Sequence, residues 1–189
     1  MDITYYDIGL NLFTRSFPNP EKIISDAEAD GICCILTGSE GRENRLVDDF
    51  VRQHEVFGTA GIHPHVADAA TDDDVAEIRR IVTTNPRIVA VGETGLDYDR
   101  MYSKKENQIY FFKKLIALAE ELDKPMFLHE RDAGERFFQP VLNGHEGVCP
   151  KSVVHCYTGD NGNAGPHASI WAFISVLPAG SAMNGGRLP

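Results

Sequence analysis

Cysteine, tryptophan and cationic residues are all scarce in this 189-residue chain, and each shortage closes off a class of protein. Four cysteines (Cys33, Cys34, Cys149 and Cys156) are too few for a disulfide scaffold, and none has the paired CxxC spacing of a structural zinc site. They read as buried free thiols of a reducing compartment. Lys and Arg total 18 against 28 Asp and Glu, a formal net charge of -10. Bulk positive potential therefore cannot grip a nucleic-acid backbone. A nuclease stays open, because bound divalent cations supply positive charge at the scissile phosphate. No apolar run is long enough to cross a bilayer. The start, "MDITYYDIGLN", has no basic stretch followed by an apolar run, so the expected location is cytoplasmic, with no membrane partner.

What is present has the make-up of one globular domain: 42% of residues are hydrophobic and 24% charged, enough for a sizeable core. Short apolar runs alternate with helical periodicities up to about residue 156, which predicts βαβ units and a parallel sheet. The strands are expected at Tyr5–Leu10, Ile32–Thr37, Val56–Ile62, Ile88–Gly92, Met126–His129 and Ser152–His155. They are continuously apolar, as strands covered on both faces are. Helices are expected over Pro20–Asp30 with Gly31 ending the first, over Arg42–His54 and over Asp72–Thr84. A long one follows a capping box at Ser103–Glu106, and a short one spans Glu135–Leu142. The fold class is α/β, a (β/α) TIM-type barrel with about six of its eight units. Residues 1–159 form the barrel part and 160–189 an irregular tail, rich in Gly, Ala, Ser, Asn and Pro and, apart from Trp171–Leu177, without a clear period.

Four of the strands end in a residue able to bind a metal: His63 in "GTAGIHPH", Glu93 in "RIVAVGE", His129 in "KPMFLH" and His155 in "SVVH". In a parallel barrel the C-terminal strand ends converge, so these side chains can meet at one cation. Imidazoles with a carboxylate suit Zn, Mn, Fe, Co or Ni, whereas Mg alone prefers more oxygen. Asp97 in "GETGLDY" is near enough to Glu93 to orient a ligand from behind. Arg131 in "HERDA" can clamp a phosphate, and Asp132 can cap the next helix or fix Arg131. Thr158 and Gly159 can offer a hydroxyl and N–H groups to a phosphate. His54, His145 and His167 lack a strand-end context and are assigned to surface or loop.

The ordered set "DIGLNL", "GIHPH", "VAVGETGLDY", "LHERDAGERF" and "HCYTG" resembles the TatD family of metal-dependent deoxyribonucleases, over residues 3 to about 159. The resemblance implies a hydrolase that cuts DNA phosphodiester bonds as an exonuclease. Glu93, His129 and His155 would be its metal ligands, with Mg2+ by family and Mn2+ or Zn2+ as alternatives. His63 would be catalytic together with Glu93, close to the metal and the scissile phosphate. Arg131 and His65 would lie on the substrate side, with Asp97 and Asp132 supporting the site from behind.

Two departures accompany the resemblance. Many relatives have a His-x-His pair on the first strand where this chain has Gly9 and Asn11, leaving Asp7 as the nearby carboxylate. The late "ETDxP" element is also missing, and an unclosed barrel would expose two sheet edges. Reading Trp171–Gly186 one nucleotide upstream permits a peptide similar to the family's seventh strand, so the tail is expected to be an out-of-frame translation. Two competing functions follow: a non-catalytic fragment, or an acyl-ester hydrolase acting on aminoacyl-tRNA. Oligomeric state is left open.

Overall fold

The burial of the continuous apolar runs decides the architecture of the chain. In the computed structural model, which describes residues 3, 5–134, 145, 151–156 and 172–174, seven strands form one sheet in the order β1-β2-β3-β4-β5-β6-β7, each parallel to the next. They are β1 (Tyr5–Leu10), β2 (Ile32–Leu36), β3 (Phe57–Ala60), β4 (Ile88–Asp97), β5 (Met126–Arg131), β6 (Val153–His155) and β7 (Ala172–Ile174). Between them run α1 (Pro20–Ala29), α2 (Gly41–Gln53), a 3-10 turn over Pro64–Val66, α3 (Asp72–Thr84) and α4 (Lys105–Glu121). Sequential strands are neighbours throughout, and among the described residues β1 and β7 are the two edges. This is an open part of a (β/α) barrel.

Each helix is placed by its apolar stripe. Val47, Phe50 and Val51 of α2, Ile78, Ile81 and Val82 of α3, and Phe112, Leu115, Ile116 and Ala119 of α4 are buried. They pack with Leu36, Ile88, Val91, Leu96, Met126 and Leu128 of the strands in one core. Each fully buried large side chain contributes roughly 1.5–3 kcal/mol. Asn19 caps α1 by accepting from the Lys22 N–H at 3.0 Å, and Gly31 at φ 74 lets the chain leave that helix.

Several expectations need correction. The capping box falls on α3, where Thr71 and Asp74 bond reciprocally, and not at Ser103. The residue preceding α4 is Lys104. Ser103 instead donates to the His65 carbonyl at 2.9 Å and accepts from the Asp68 N–H at 3.1 Å, so its hydroxyl ties two loops together. The fourth strand continues five residues past Gly92, to Asp97. A further strand, β7, stands inside the segment expected to be irregular and pairs with β6 from Val153↔Ala172 to His155↔Ile174. The helix expected at Glu135–Leu142, the Thr158–Gly159 pair, Cys149, His167 and the rest of the tail lie outside the described residues.

Candidate metal and phosphate site

The site sits on the C-terminal halves of β4 to β6 and the turn that follows β3, and is assembled by backbone ties between them. Buried Asn44 of α2 clamps the exit of β3, donating to the Gly61 carbonyl at 2.9 Å and accepting from the Gly61 N–H at 3.1 Å. The N–H of His63 donates to the Ser39 carbonyl at 2.8 Å, and that of Glu93 to the Gly38 carbonyl at 2.9 Å. Two glycines allow β4 to run close against β5. At Gly95 (φ 146) a Cβ would lie 1.9 Å from the His129 carbonyl oxygen, and at Gly92 (φ 141) 2.1 Å from that of Phe127. The register shifts between Gly92 and Thr94, at the residue whose carboxylate organises the site.

Three imidazole nitrogens converge on one oxygen of that carboxylate. His155 Nε2 lies 2.5 Å, His129 Nδ1 3.1 Å and His63 Nε2 3.2 Å from Glu93 Oε1. Behind them, Asp97 Oδ2 stands 2.6 Å from His65 Nε2 and 3.3 Å from His129 Nε2. Asp97 is fully buried and is fixed by Gln108 of α4, which accepts from its N–H at 2.9 Å and donates to its carbonyl at 3.2 Å. Glu93, His129, His155, His63, His65 and Asp97 are thus brought together.

The electrostatics are those of a buried carboxylate held ionised by imidazole donors. Burial pushes the pKa of Glu93 upward, but hydrogen bonds from His129, His155 and His63 outweigh it and hold the carboxyl well below its ordinary range. Burial pulls His129 and His155 down; hydrogen bonding to the Cys156 sulfur and to Glu93 outweighs it and raises each to about 9. A cation binding at these nitrogens and at Glu93 would compete with those protons. The donor set therefore fits a divalent metal, and potential ligand atoms of His63, His65 and His129, and of His129, His155 and Cys156, lie within 4.8 Å of one another in each group.

His63 differs from the other two rings. Its Nδ1 accepts the His65 N–H at 3.1 Å. In the neutral ring the proton must then sit on Nε2, which faces Glu93 and His129. His63 is arranged to donate at that position; His129 and His155 are not so constrained.

An open cleft of about 440 Å³ lies over these groups, lined also by Asn11, Ser39, Glu43, Arg100 and Cys156. Arg131 lies outside the cleft lining and pairs with Asp99, Nε to Oδ2 2.9 Å. Asp132 adopts φ 52 in the turn after β5, and the N–H groups of Ala133 and Gly134 donate to Glu130, at 2.9 and 2.8 Å. The helix that Asp132 is expected to cap lies outside the described residues. Asp7 is exposed on β1 and does not line the cleft. At Gly9 a Cβ would stand 2.9 Å from Phe127 Cζ, so β1 has no room for a ligating side chain there without moving that ring. His54 stacks on Phe50 and His145 pairs with Glu120, both outside the site.

Cys33 and Cys34 are buried and free as expected, but Cys156 is a free, partly exposed thiol within the site. Its Sγ lies 3.6 Å from His155 Nδ1, and hydrogen bonds with His129 and His155 lower its pKa to about 6. The only signal for this in the sequence was its position directly after the strand-end histidine.

A half-open parallel barrel with a carboxylate–imidazole cluster at its strand tips belongs among the metal-site barrels. The chain belongs to the TatD family: the model for "TatD related DNase" matches residues 6–184. The 3'-5' ssDNA/RNA exonuclease TatD of Erwinia amylovora is 38% identical over 158 residues, covering 82% of this chain and 60% of that protein. The corresponding exonuclease of Rahnella sp. is 37% identical over 175 residues, covering 90% of this chain and 66% of that protein. The chain thus spans about three-fifths of the length of the Erwinia relative. Among solved structures, a TatD homologue from Escherichia coli K12 superposes with a TM-score of 0.79 at 22% identity, over 92% of this chain and 68% of that one. A TatD family hydrolase from Entamoeba histolytica gives the same score and identity, over 65% of its length. These two likenesses establish the fold. Among the described residues no helix is long and apolar enough to cross a membrane.

Proposed function

We propose that the chain is a divalent-metal-dependent hydrolase of phosphodiester bonds in DNA, working exonucleolytically on single strands. The observation that carries this reading is the convergence of His63, His129 and His155 nitrogens on one Glu93 oxygen. Glu93, His129 and His155 would hold the ion. Bound there, it supplies Lewis-acid polarisation of a phosphoryl oxygen and acidifies a water, with Mg2+ or Mn2+ the expected metal and Zn2+ an alternative.

The chain's own groups divide the remaining work. Asp97 holds His129 from behind and fixes its ring orientation. His63 presents its Nε2 proton to an oxygen of the phosphate or the leaving group. His65, anchored on Asp97, borders the substrate side of the cleft. Arg131 remains a candidate cation for a longer substrate, reached once its pairing with Asp99 is exchanged.

The test is metal uptake and turnover in parallel. Titration with Mn2+ should show stoichiometric binding that Glu93→Ala abolishes, and Mg2+ or Mn2+ should drive shortening of a 5'-labelled single-stranded oligonucleotide from its 3' end. Stoichiometric metal retained by Glu93→Ala would refute the ligand assignment. Metal binding without turnover would favour the non-catalytic reading. Cleavage of an aminoacyl ester and not of the oligonucleotide would favour the acyl-ester one.

A further inference from the structure

The segment joining β4 to α4 is pinned at both ends, yet it exposes its middle. At one end the Arg100 N–H donates to Asp97 Oδ1 at 2.9 Å, on the carboxylate that also holds His65 and His129. At the other, Ser103 bonds to the His65 carbonyl and the Asp68 N–H, and the Lys104 N–H donates to Asp68 Oδ1 at 2.9 Å. Between these anchors Met101, at φ 50, is 41% exposed and Tyr102 is 69% exposed. The Tyr102 ring stands edge-on to His65, with centroids 4.8 Å apart, and His65 is 4.2 Å from the His63 ring. The Arg100 side chain lines the cleft.

A large ring held at the mouth of the cleft, on a loop tied to the Asp97 carboxylate, leaves apolar surface in water without burying it on folding. The net charge of -10 adds a second constraint. A chain with this charge repels a polyanion at long range, so affinity for a nucleic acid must come from short-range contacts that do not depend on bulk potential. Stacking of a base on an aromatic face is such a contact. It needs an unpaired base and tolerates any sequence.

We propose that Tyr102 is a stacking platform for a nucleobase of a single strand and that Arg100 holds the adjoining phosphate, so that the Arg100–Tyr102 loop forms the single-strand subsite of the cleft. This rests on the nuclease reading above and deepens it. A duplex end keeps its bases stacked on one another and cannot use the platform, which makes Tyr102 a source of preference for single strands. The rigid anchoring on Asp97 and Ser103 sets the distance between stacked base and catalytic groups.

The experiment compares the full chain with Tyr102→Ala, Tyr102→Trp and Arg100→Ala. Binding of a labelled single-stranded oligonucleotide is read by fluorescence anisotropy in EDTA, and hydrolysis is read with Mg2+. Tyr102→Ala should raise Kd and KM about tenfold with kcat within about twofold, since base stacking is worth roughly 1–3 kcal/mol. Tyr102→Trp should bind like the unmodified chain. An oligonucleotide abasic at its 3'-terminal positions should bind the unmodified chain and Tyr102→Ala equally weakly, an equality that a merely structural role would not produce. Arg100→Ala should flatten the dependence of log Kd on log salt by about 0.7. If Tyr102→Ala binds and turns over the intact oligonucleotide like the unmodified chain, the platform is wrong and the nuclease reading stands. The same holds if Tyr102→Ala loses affinity equally on intact and abasic strands. If the unmodified chain neither binds nor hydrolyses any strand, both fall together.

Discussion

Strands β4 and β1 belong to one parallel sheet but have opposite fates. All but one of the ten residues of β4 are buried, and it is paired on both edges, to β3 and β5. The first half of β1 is exposed, with Tyr5 at 66% and Tyr6 at 60%, and among the described residues it pairs only with β2. The placement of the candidate metal site follows this difference. A buried carboxylate such as Glu93 stays ionised only if donors are held at fixed distances around it. A strand clamped on both sides can hold them there; one free to shift on its outer edge cannot. In this chain β1 presents Gly9 against Phe127 and Asn11 at the cleft, and the imidazoles come from the ends of β3, β5 and β6.

The harshest way to break that contrast is to spoil the β4–β5 contact. Gly95→Ala would bring a Cβ to within 1.9 Å of the His129 carbonyl oxygen, at a φ of 146 that side chains rarely adopt. Backbone atoms cannot yield as a flexible side chain does, so the expected cost is about 4 kcal/mol or more, with loss of metal binding in any chain that still folds. Urea denaturation of the variant measures it. A cost under about 1 kcal/mol would show that β4 is no more tightly clamped than β1. At Gly9 the obstructing atom is the far end of the Phe127 ring, which can swing aside, so Gly9→Ala should cost distinctly less.

A second effect, somewhat smaller, concerns protons. In the folded chain His129 and His155 are raised from 6.5 to about 9, while Cys156 is lowered from 9.0 to about 6. Between pH 6.5 and 9 the folded state therefore keeps two imidazole protons that the unfolded state has released. It lacks one thiol proton that the unfolded state retains. On balance it binds one more proton, so its stability falls as pH rises through this window, by roughly 2–3 kcal/mol in all. The stabilisation is fully present below about pH 6.5. Metal-free chain in EDTA, unfolded by urea at a series of pH values, should show this decline. Added Mn2+ should weaken or reverse it, because the ion competes with those same protons for Glu93, His129 and His155. Stability that rises with pH in EDTA would mean that the imidazoles are already neutral beside Glu93 in the metal-free chain, so that an ion would bind without displacing protons.

The same contrast explains what could be read from the residues alone. The limits of β1 and of α3 fall where the apolar runs and helical stripes placed them, and Glu93, His129 and His155 were legible because each ends an apolar run. The second half of β4 was not legible. The expected strand ended at Gly92, and only the close approach to β5 shows that Gly92 and Gly95 permit pairing to continue. Ser103 carried a capping signal that tertiary contacts with His65 and Asp68 redirected. Cys156, Arg100 and Tyr102 escaped because a loop residue has no periodicity, and its role depends on which strand tip it faces. Strand β7 falls within Trp171–Leu177, the one patterned stretch of the tail, but an apolar run that short does not by itself distinguish a strand from other buried structure.

The smallest effect bears on β1 itself. Tyr6 is 60% exposed, on the half of the strand far from the cleft. If β1 is a lightly packed edge, Tyr6→Ala should change stability by no more than about 0.5 kcal/mol and leave Mn2+ affinity untouched, as for surface positions in general. If the edge is instead covered in solution, by a second copy or by residues beyond those described, the ring is buried there. The same substitution would then cost about 3 kcal/mol or more, the usual loss for truncating a buried aromatic. Denaturation midpoints measured at two protein concentrations distinguish the cases: a midpoint that climbs with concentration in the unmodified chain and not in Tyr6→Ala identifies a second copy as the cover. A flat response with a small cost leaves β1 an open edge, and the division between a clamped, site-bearing flank and a loose one holds.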